Sequence, residues 1–476
     1  MLNYLLRHMR RLLRSASLAF IVGAVAAPVL SPELTFVSAV HADDDDGGDD
    51  GDDGNDGGAR SGRSGSDGGK RLRGPQNLMD YLDNRRSVRA PQARPTAKRQ
   101  QAAAPVYEAR RLIALGLSDD HITKLQERGF SVEDKSEMRL TGTQLIRLQI
   151  PPRMTLNTAR QQVSELAPEA MVDFNHYYRP EQADPQSESQ PDAAACNGTD
   201  CTLMRHLIGW KQPEAGAALC TALPKIGLID TAINPDHESL KQARIEIIRL
   251  SDAELPQSGT QHGTAVAALL VGSETGRAPG LLPQAELIAV DAFHGAKGDS
   301  NRATTFDLIR AVDLLAEKQV PLINMSLSGP HNQLLEKAIE AAAQRKIILV
   351  AAAGNEGPHA KPVYPAAYAN VIAVTAVDRD GKPYRRAVRG AHIDLAAPGV
   401  GVWTAASVSG ARQKTGTSFA APFVTAAAAR LKAEKPDLDN QQIAEELAGK
   451  AKDLGKPGHD PVFGWGLINA QALCAS

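Results

Sequence analysis

A single serine, Ser418, stands at the start of an alanine-rich run in the stretch QKTGTSFAAPFVTAAAARLK, residues 413–432. Serine is a preferred N-cap residue, so a helix boundary alone could account for this hydroxyl. The amino-terminal end of a buried helix also stabilises developing negative charge, which suits a nucleophile. A nucleophile would require a base, an orienting acid and an oxyanion donor elsewhere in the chain.

The elements that could position such residues lie between residues 196 and 476. Short apolar runs alternate there with helical patterns at 303–318, 332–345, 418–434 and 440–450; the runs are KIGLID, AELIAVDAF, VPLINMSL, KIILVAAAG and VIAVTAV. This alternation predicts an α/β fold, a parallel sheet with helices on both faces. Asp230 ends the first run and Asn355 follows the fourth, so both are expected in the crevice at the carboxyl ends of the strands.

Four motifs occur in the order Asp, His, Asn, Ser: IGLIDTAINPDH, QHGTAVAALLVG, VAAAGNEG and GTSFAAP. Together they resemble the subtilisin-like (subtilase) serine protease family over roughly residues 195–474, and the order matches that of subtilisin. The resemblance implies a subtilisin-like fold and a serine endopeptidase that works through an acyl-enzyme intermediate.

The chemistry then gives each motif residue a role. Ser418 would be the nucleophile, His262 its base and Asp230 the residue that orients the base. Asn355 would donate to the oxyanion together with the backbone N–H of Ser418. Taken singly, each could be a cap or a turn residue, but four unrelated capping residues are not expected to reproduce one catalytic set. Histidines outside the motifs are interpreted as surface or loop residues: His237, His294, His331 and His359.

The stretch NMSLSGP resembles the family strand that pairs with an extended substrate. The resemblance implies two walls of the first specificity pocket, formed by Ser326, Leu327 and Ser328 and by Ala352, Ala353 and Gly354. Ser328 stands where the family usually has glycine, Val363 would narrow the pocket floor, and Glu356 would lie at its rim. We predict a preference for medium apolar P1 residues with some tolerance of basic ones.

Two departures from the family pattern have consequences. Phe419 replaces the methionine that usually follows the nucleophile, which predicts resistance to peroxide. Ser239 stands at a position often used by a calcium-binding aspartate. We therefore expect no cofactor or metal to be required for catalysis, and a structural calcium ion is not predicted.

The amino-terminal part has three compositional zones. Residues 1–42 combine arginines, an apolar stretch and small residues ending in SAVHA, the pattern of an export signal. A cleaved leader predicts a secreted or periplasmic protein, and an uncleaved one a membrane-anchored protein. Residues 43–104 are rich in Asp and Gly and then in Arg and Pro, so we predict a disordered linker.

Residues 105–180 contain two strand–helix–strand cycles, with Ser118 and Thr155 as helix caps. This pattern predicts a small ferredoxin-like α+β domain. By the resemblance it would be an inhibitory propeptide whose last strand, in DFNHYYRPEQ, plugs the cleft. Residues 181–195 would be a linker with the maturation site, followed by the peptidase domain at 196–476. The alternative is a permanent accessory domain.

Four cysteines in an exported chain favour disulfides, and three pairings are open. We favour Cys196 with Cys201 and Cys220 with Cys474.

The expected partners are protein or peptide substrates and the chain's own propeptide, with a monomeric enzyme and no nucleic acid. The formal net charge of -2 favours no particular partner. A catalytically silent surface-binding protein with the same fold is the main alternative. A structural or adhesive protein that acts through the Asp/Gly tract is another.

Overall fold

The computed structural model describes residues 106–180, 199–211, 223–250, 254–296, 300–471 and 473. The predicted export signal, the predicted disordered linker and the predicted maturation linker lie outside these ranges. Cys196, Cys220 and Cys474 also lie outside these ranges, and for Cys201 only the backbone is described, so the disulfide pairing stays a prediction.

A small α+β domain comes first along the described chain. Its elements are β1 Tyr107–Leu115, α1 Asp119–Glu127, β2 Ser131–Met138, β3 Thr143–Gln149, α2 Leu156–Leu166 and β4 Met171–Pro180. The four strands pair antiparallel in the order β2-β3-β1-β4, the ferredoxin-like arrangement. Ser118 and Thr155 cap the helices by accepting from the backbone N–H groups of His121 and Thr158.

The sheet of this small domain buries both of its faces, because side chains alternate along each strand. Leu112 and Ala114 pack with the two helices. Ile113 and Leu115 belong instead to a core shared with the larger part of the protein. The small domain is therefore packed against the rest of the chain.

The larger part contains the remaining elements. The first group is α3 Thr199–Leu207, β5 Ile226–Asp230, β6 Arg244–Arg249, α4 Gln261–Val271, β7 Glu286–Asp291, β8 Phe293–Ala296, β9 Ser300–Thr304 and α5 Thr305–Glu317. The second is β10 Leu322–Met325, β11 Leu327–Ser328, α6 Gln333–Gln344, β12 Ile348–Ala352, β13 Ile372–Val377 and β14 Leu395–Pro398. The last is β15 Val402–Ala405, β16 Ala411–Lys414, α7 Thr417–Glu434 and α8 Asn440–Lys450.

Seven parallel strands form the central sheet in the order β14-β13-β12-β10-β5-β7-β6. Along β12, Ile348 and Val350 face the core that contains α4 and α7, whereas Leu349 and Ala351 face the core that contains α5 and α6. Burial on both faces explains why these strands are continuously apolar. The predicted α/β fold is confirmed.

The last residues of β4 cross from the small domain into the larger part. Tyr177 and Tyr178 pair antiparallel with β9, and Arg179 and Pro180 pair antiparallel with β11. The Tyr178 side chain is fully buried, and its hydroxyl donates to the Pro330 carbonyl at 2.6 Å. β4 thus lies as an added strand between two segments of the larger part.

Candidate active site

Asp230 is the last residue of β5, at the carboxyl edge of the central sheet, and is almost fully buried. Its Oδ1 accepts from the Thr231 N–H at 2.7 Å and lies 2.7 Å from Nδ1 of His262. His262 is the second residue of α4, so the helix start and the strand end hold the pair together. The structure therefore places the predicted acid and base in direct contact.

Gly263 allows α4 to approach the strand end this closely. A Cβ at position 263 would lie 2.3 Å from the Thr231 carbonyl oxygen and 2.7 Å from that of Ala232. The Gly263 N–H donates to Thr231 Oγ1 at 2.9 Å. Any larger residue at position 263 would therefore collide with the turn that follows Asp230.

Ser418 is the second residue of α7 and is fully buried. The N-cap of α7 is Gly416, which has no side chain to cap the helix, so the interpretation of Ser418 as an N-cap is wrong. Ser418 Oγ donates to the Ser326 carbonyl at 3.4 Å, and Ser326 Oγ donates to the Ser418 carbonyl at 3.0 Å. Among the described residues, His262 Nε2 has no hydrogen-bond partner. The structure therefore shows no bond between Ser418 Oγ and His262, a contact that is often loose in substrate-free enzymes.

Asn355 follows β12 and has a fixed side-chain orientation. Its Oδ1 accepts from both the N–H and the Oγ1 of Thr417, each at 3.1 Å. Since a backbone N–H can only donate, these bonds identify the oxygen and leave Nδ2 on the other side of the amide. Nδ2 faces Gly416, where φ is +157° and a Cβ would lie 3.1 Å from Nδ2. Asn355 thus presents an N–H donor at the amino-terminal end of α7.

The predicted specificity walls lie on adjacent segments. Ser328 Oγ donates to Glu356 Oε1 at 3.3 Å, which connects one wall to the predicted rim residue. A Cβ at Gly354, where φ is +106°, would lie 2.6 Å from Glu356 Oε2 and 2.8 Å from Val363 Cγ2. The structure therefore brings Glu356 and Val363 to the predicted pocket. The other predicted wall residues are buried there: Ser326, Leu327, Ala352 and Ala353.

His294 lies within β8 and is buried, so its interpretation as a surface or loop residue is wrong. Burial lowers the pKa of its imidazole to about 4.

Within the described ranges, no group of three or more His, Cys, Asp or Glu side chains could hold a metal ion. In the same part of the chain, no helix is both long enough and apolar enough to cross a membrane.

Sequence reasoning missed Ser258 and Asp291, which lie beside the predicted acid and base. Ser258 Oγ accepts from the Ala232 N–H at 2.8 Å and donates to Asp291 Oδ1 at 2.9 Å. Asp291 ends β7 and is the register partner of Asp230 on β5. Its place at the end of an apolar run was the same signal that identified Asp230.

Residues 223–466, about half of the chain, match the Subtilase family. The chain is 32% identical over 253 residues to subtilisin DY of Bacillus licheniformis, which covers 52% of this chain and 89% of that protein. It is 31% identical over 252 residues to the minor extracellular protease Epr of Bacillus subtilis, which covers 52% of this chain but only 38% of that protein.

Among solved structures, fervidolysin from Fervidobacterium pennivorans, described as a keratinolytic enzyme related to subtilisin, resembles this chain with a TM-score of 0.64. The match covers 78% of this chain and 61% of fervidolysin at 20% identity, so it shows a common fold. Since the family match covers about half of the residues and its motifs lie together at one edge of the sheet, the chain belongs to the subtilase family of serine proteases.

Proposed function

We propose that the chain is a serine endopeptidase with Ser418 as nucleophile, His262 as general base and Asp230 as the residue that orients the base. The contact of 2.7 Å between His262 Nδ1 and Asp230 Oδ1 carries the proposal. An ionised carboxylate only accepts hydrogen bonds, so Nδ1 holds the hydrogen of the neutral ring and Nε2 presents a lone pair. Nε2 is then ready to take the hydroxyl proton of the nucleophile.

The reaction begins when Ser418 Oγ leaves the Ser326 carbonyl and attacks the carbonyl carbon of the substrate. The new C–O bond forms while the hydroxyl proton passes to His262 Nε2, and the negative charge moves to the substrate oxygen. Asn355 Nδ2 and the Ser418 N–H donate to that oxygen at the positive end of α7. His262 then gives its proton to the leaving amine as the C–N bond breaks, and water hydrolyses the acyl-enzyme by the reverse sequence.

We further propose that the small domain is an inhibitory propeptide and that the chain matures by its own cleavage between about Pro180 and Cys196. The position of β4 between β9 and β11 supports this role, because an added strand at that place excludes a substrate strand. Polar contacts from β4 add to the docking. Asn175 Oδ1 accepts from the Phe306 N–H at 3.0 Å, and Asp173 Oδ2 accepts from the Gln333 N–H at 3.4 Å.

Export is proposed from the amino-terminal pattern in residues 1–42, and the extracellular relative Epr supports it. An uncleaved leader would anchor the enzyme to a membrane instead. The proposed substrates are proteins or peptides, and the proposed active form is a monomer that requires no metal.

The test compares the wild-type chain with Ser418→Ala by intact mass, amino-terminal sequencing and casein hydrolysis. The wild type should lose its amino-terminal region and hydrolyse casein, and the variant should do neither. Equal masses without Ser418-dependent hydrolysis would reject the protease and favour a silent binding protein. A chain lacking residues 43–104 should retain activity, whereas loss of all function would favour an adhesive role for that tract.

A further inference from the structure

A second buried carboxyl group lies beside the proposed catalytic acid. Asp291 ends β7 and is the direct register partner of Asp230, which ends the neighbouring strand β5. The two residues are 3% and 2% exposed. Burying a second carboxyl group next to the first is unfavourable for folding, and a strand end does not require it. Such an arrangement points to a role in the site.

Asp291 is tied to the turn after Asp230 by a hydrogen-bond chain of fixed direction. The Ala232 N–H donates to Ser258 Oγ at 2.8 Å. The Ser258 hydroxyl hydrogen is then free for Asp291 Oδ1, which lies 2.9 Å from Ser258 Oγ. The Phe293 N–H also donates to this oxygen, at 3.2 Å. Asp291 is therefore the terminal acceptor that holds the Ala232 backbone in place through Ser258.

The backbone held in this way supports the first turn of α4. The carbonyl oxygens of Thr231 and Ala232 lie directly against Gly263, which has no room for a Cβ. His262 precedes Gly263, so a shift of the turn at Thr231 and Ala232 would shift the imidazole relative to Asp230. A displacement of even 1 Å at a catalytic group has large effects on rate.

The charge of Asp291 is also placed to act on the site. Its Oδ2 is buried and has no hydrogen-bond partner among the described residues. Charged groups face Asp291 from the two adjacent strands, Asp230 on β5 and Arg249 on β6. Burial raises the pKa of Asp291 to about 6, and the negative charge of Asp230 adds to this rise. Hydrogen bonds from the Ser258 hydroxyl and the Phe293 N–H oppose it, as does the positive charge of Arg249. Above that pH the ionised group adds negative charge behind Asp230.

We infer that Asp291 is a positioning residue for the Asp230–His262 pair. Through Ser258 it holds the turn on which α4 rests, and its negative charge favours the protonated imidazole of His262. The inference rests on the proposed function, because it assigns Asp291 to the same catalytic site.

The test uses Asp291→Asn and Ser258→Ala in the full chain. Asp291→Asn keeps an acceptor for Ser258 but removes the charge, so the acid limb of the pH profile of kcat/KM should move down by about 0.5 pH unit. Ser258→Ala leaves the Ala232 N–H without its acceptor, so kcat/KM should fall about tenfold, and Ser258→Thr should restore most of it. Asp394→Asn, which changes a buried carboxyl group beside β14, is the control and should leave the acid limb in place.

A second measurement does not depend on activity. The imidazole of His262 is titrated by NMR in the inactive Ser418→Ala chain, with its signal identified by loss in a further His262→Gln variant. Adding Asp291→Asn should lower the pKa of His262 by a similar amount. An unchanged pKa together with an unchanged pH profile would overturn the inference. If Asp291→Asn lowered thermal stability but moved neither the acid limb nor the pKa of His262, the inference would also be overturned, because Asp291 would then have a structural role alone. Absence of Ser418-dependent hydrolysis in the wild type would reject the proposed function and leave the NMR result to decide the inference.

Discussion

His176 of β4 lies with Nδ1 3.0 Å from Nδ2 of Asn332, at the start of α6. Asn332 Oδ1 accepts from the N–H groups of Leu334 and Leu335 as the N-cap of that helix, so its Nδ2 must be the donor. His176 Nδ1 is therefore an acceptor, and a proton on this nitrogen would set two donors against each other. The docked small domain requires the neutral ring.

This contact predicts that the small domain is released more readily in acid. Burial lowers the pKa of His176, the positive charges of His331 and Arg160 lower it further, and Asp173 partly opposes them. A released domain would expose the ring and return its pKa to about 6.5. The docked state binds fewer protons than the released state, so docking is strongest above about pH 6.5 and weakens as the pH falls through the lowered pKa.

Gel filtration of the processed protein at pH 7.5 and at pH 5.5 measures this effect. The small domain should co-elute with the peptidase at the higher pH and separate from it at the lower pH. His176→Gln should reduce the pH dependence, because the Gln side chain offers an acceptor that does not titrate. His121→Gln, at a histidine in α1, is the matched control and should behave as the wild type. Equal retention of the domain at both pH values would contradict the prediction.

The register of β4 predicts where the chain is cut. Arg179 pairs with Ser328 and Pro180 pairs with Leu327, so β4 runs antiparallel to β11 and its end approaches Ser326. The Ser326 carbonyl accepts from Ser418, the proposed nucleophile, so the peptide bond after Glu181 should be the one attacked. Amino-terminal sequencing should find Gln182 as the first residue of the processed enzyme.

Cleavage at this bond need not reflect the preferred P1 residue. The docked domain holds its own carboxyl end in the cleft at a high effective concentration, which compensates for a poor side-chain fit. Glu356 beside Gly354 should disfavour acidic substrates supplied in solution. A peptide library should therefore still favour medium apolar P1 residues. First cleavage close to Cys196 would contradict the predicted cut after Glu181. A peptide library in which acidic P1 residues are cleaved best would contradict the predicted apolar preference.

Sequence reasoning singled out Asp230, His262, Ser418 and Asn355 because the fold places such residues at recognisable breaks in apolar patterns. Asp230 ends a continuously apolar strand, and Ser418 begins a helix whose residues are almost all buried. The capping residues Ser118 and Thr155 were also recognisable, because side-chain oxygens at helix starts act through local geometry. These features depend on a few neighbouring residues.

Features set by distant contacts were not recognisable. The bounds of β2 are an example, because its sequence SVEDKSEM is mostly polar and its pairing with β3 makes it a strand. The burial of His294 depends on the hairpin of β8 and β9. The chain from Asp291 through Ser258 to Ala232 joins three segments far apart in sequence, and only the fold brings them together.

Asn355→Leu tests the oxyanion donor. Leucine has a similar shape but no N–H group, so the variant should lose about 100- to 1,000-fold in kcat with little change in KM, because the lost bond forms mainly in the transition state. Steady-state kinetics with a peptide substrate measures both parameters. Thr417→Ser keeps a hydroxyl that can hold Asn355 Oδ1 and serves as the control, with an expected loss below about tenfold. A rise in KM at constant kcat would assign Asn355 to substrate binding instead.

Phe419 should make the enzyme resistant to peroxide. It follows the nucleophile directly, is 1% exposed, and its ring centroid lies 5.7 Å from that of His262. No thioether is therefore present in the residue next to Ser418. Oxidation of a methionine at this position would place a polar sulfoxide against the imidazole of His262, the proposed base.

The measurement follows the remaining hydrolytic activity during incubation with peroxide. The wild type should keep most of its activity, and Phe419→Met should lose it with a time course that matches the appearance of one sulfoxide by mass spectrometry. Met325 precedes Ser326 and is 2% exposed, so its burial should protect it from peroxide. If the wild type were inactivated rapidly and Met325→Leu were not, oxidation would act through the strand that contacts Ser418, and the side chain at position 419 would not determine resistance.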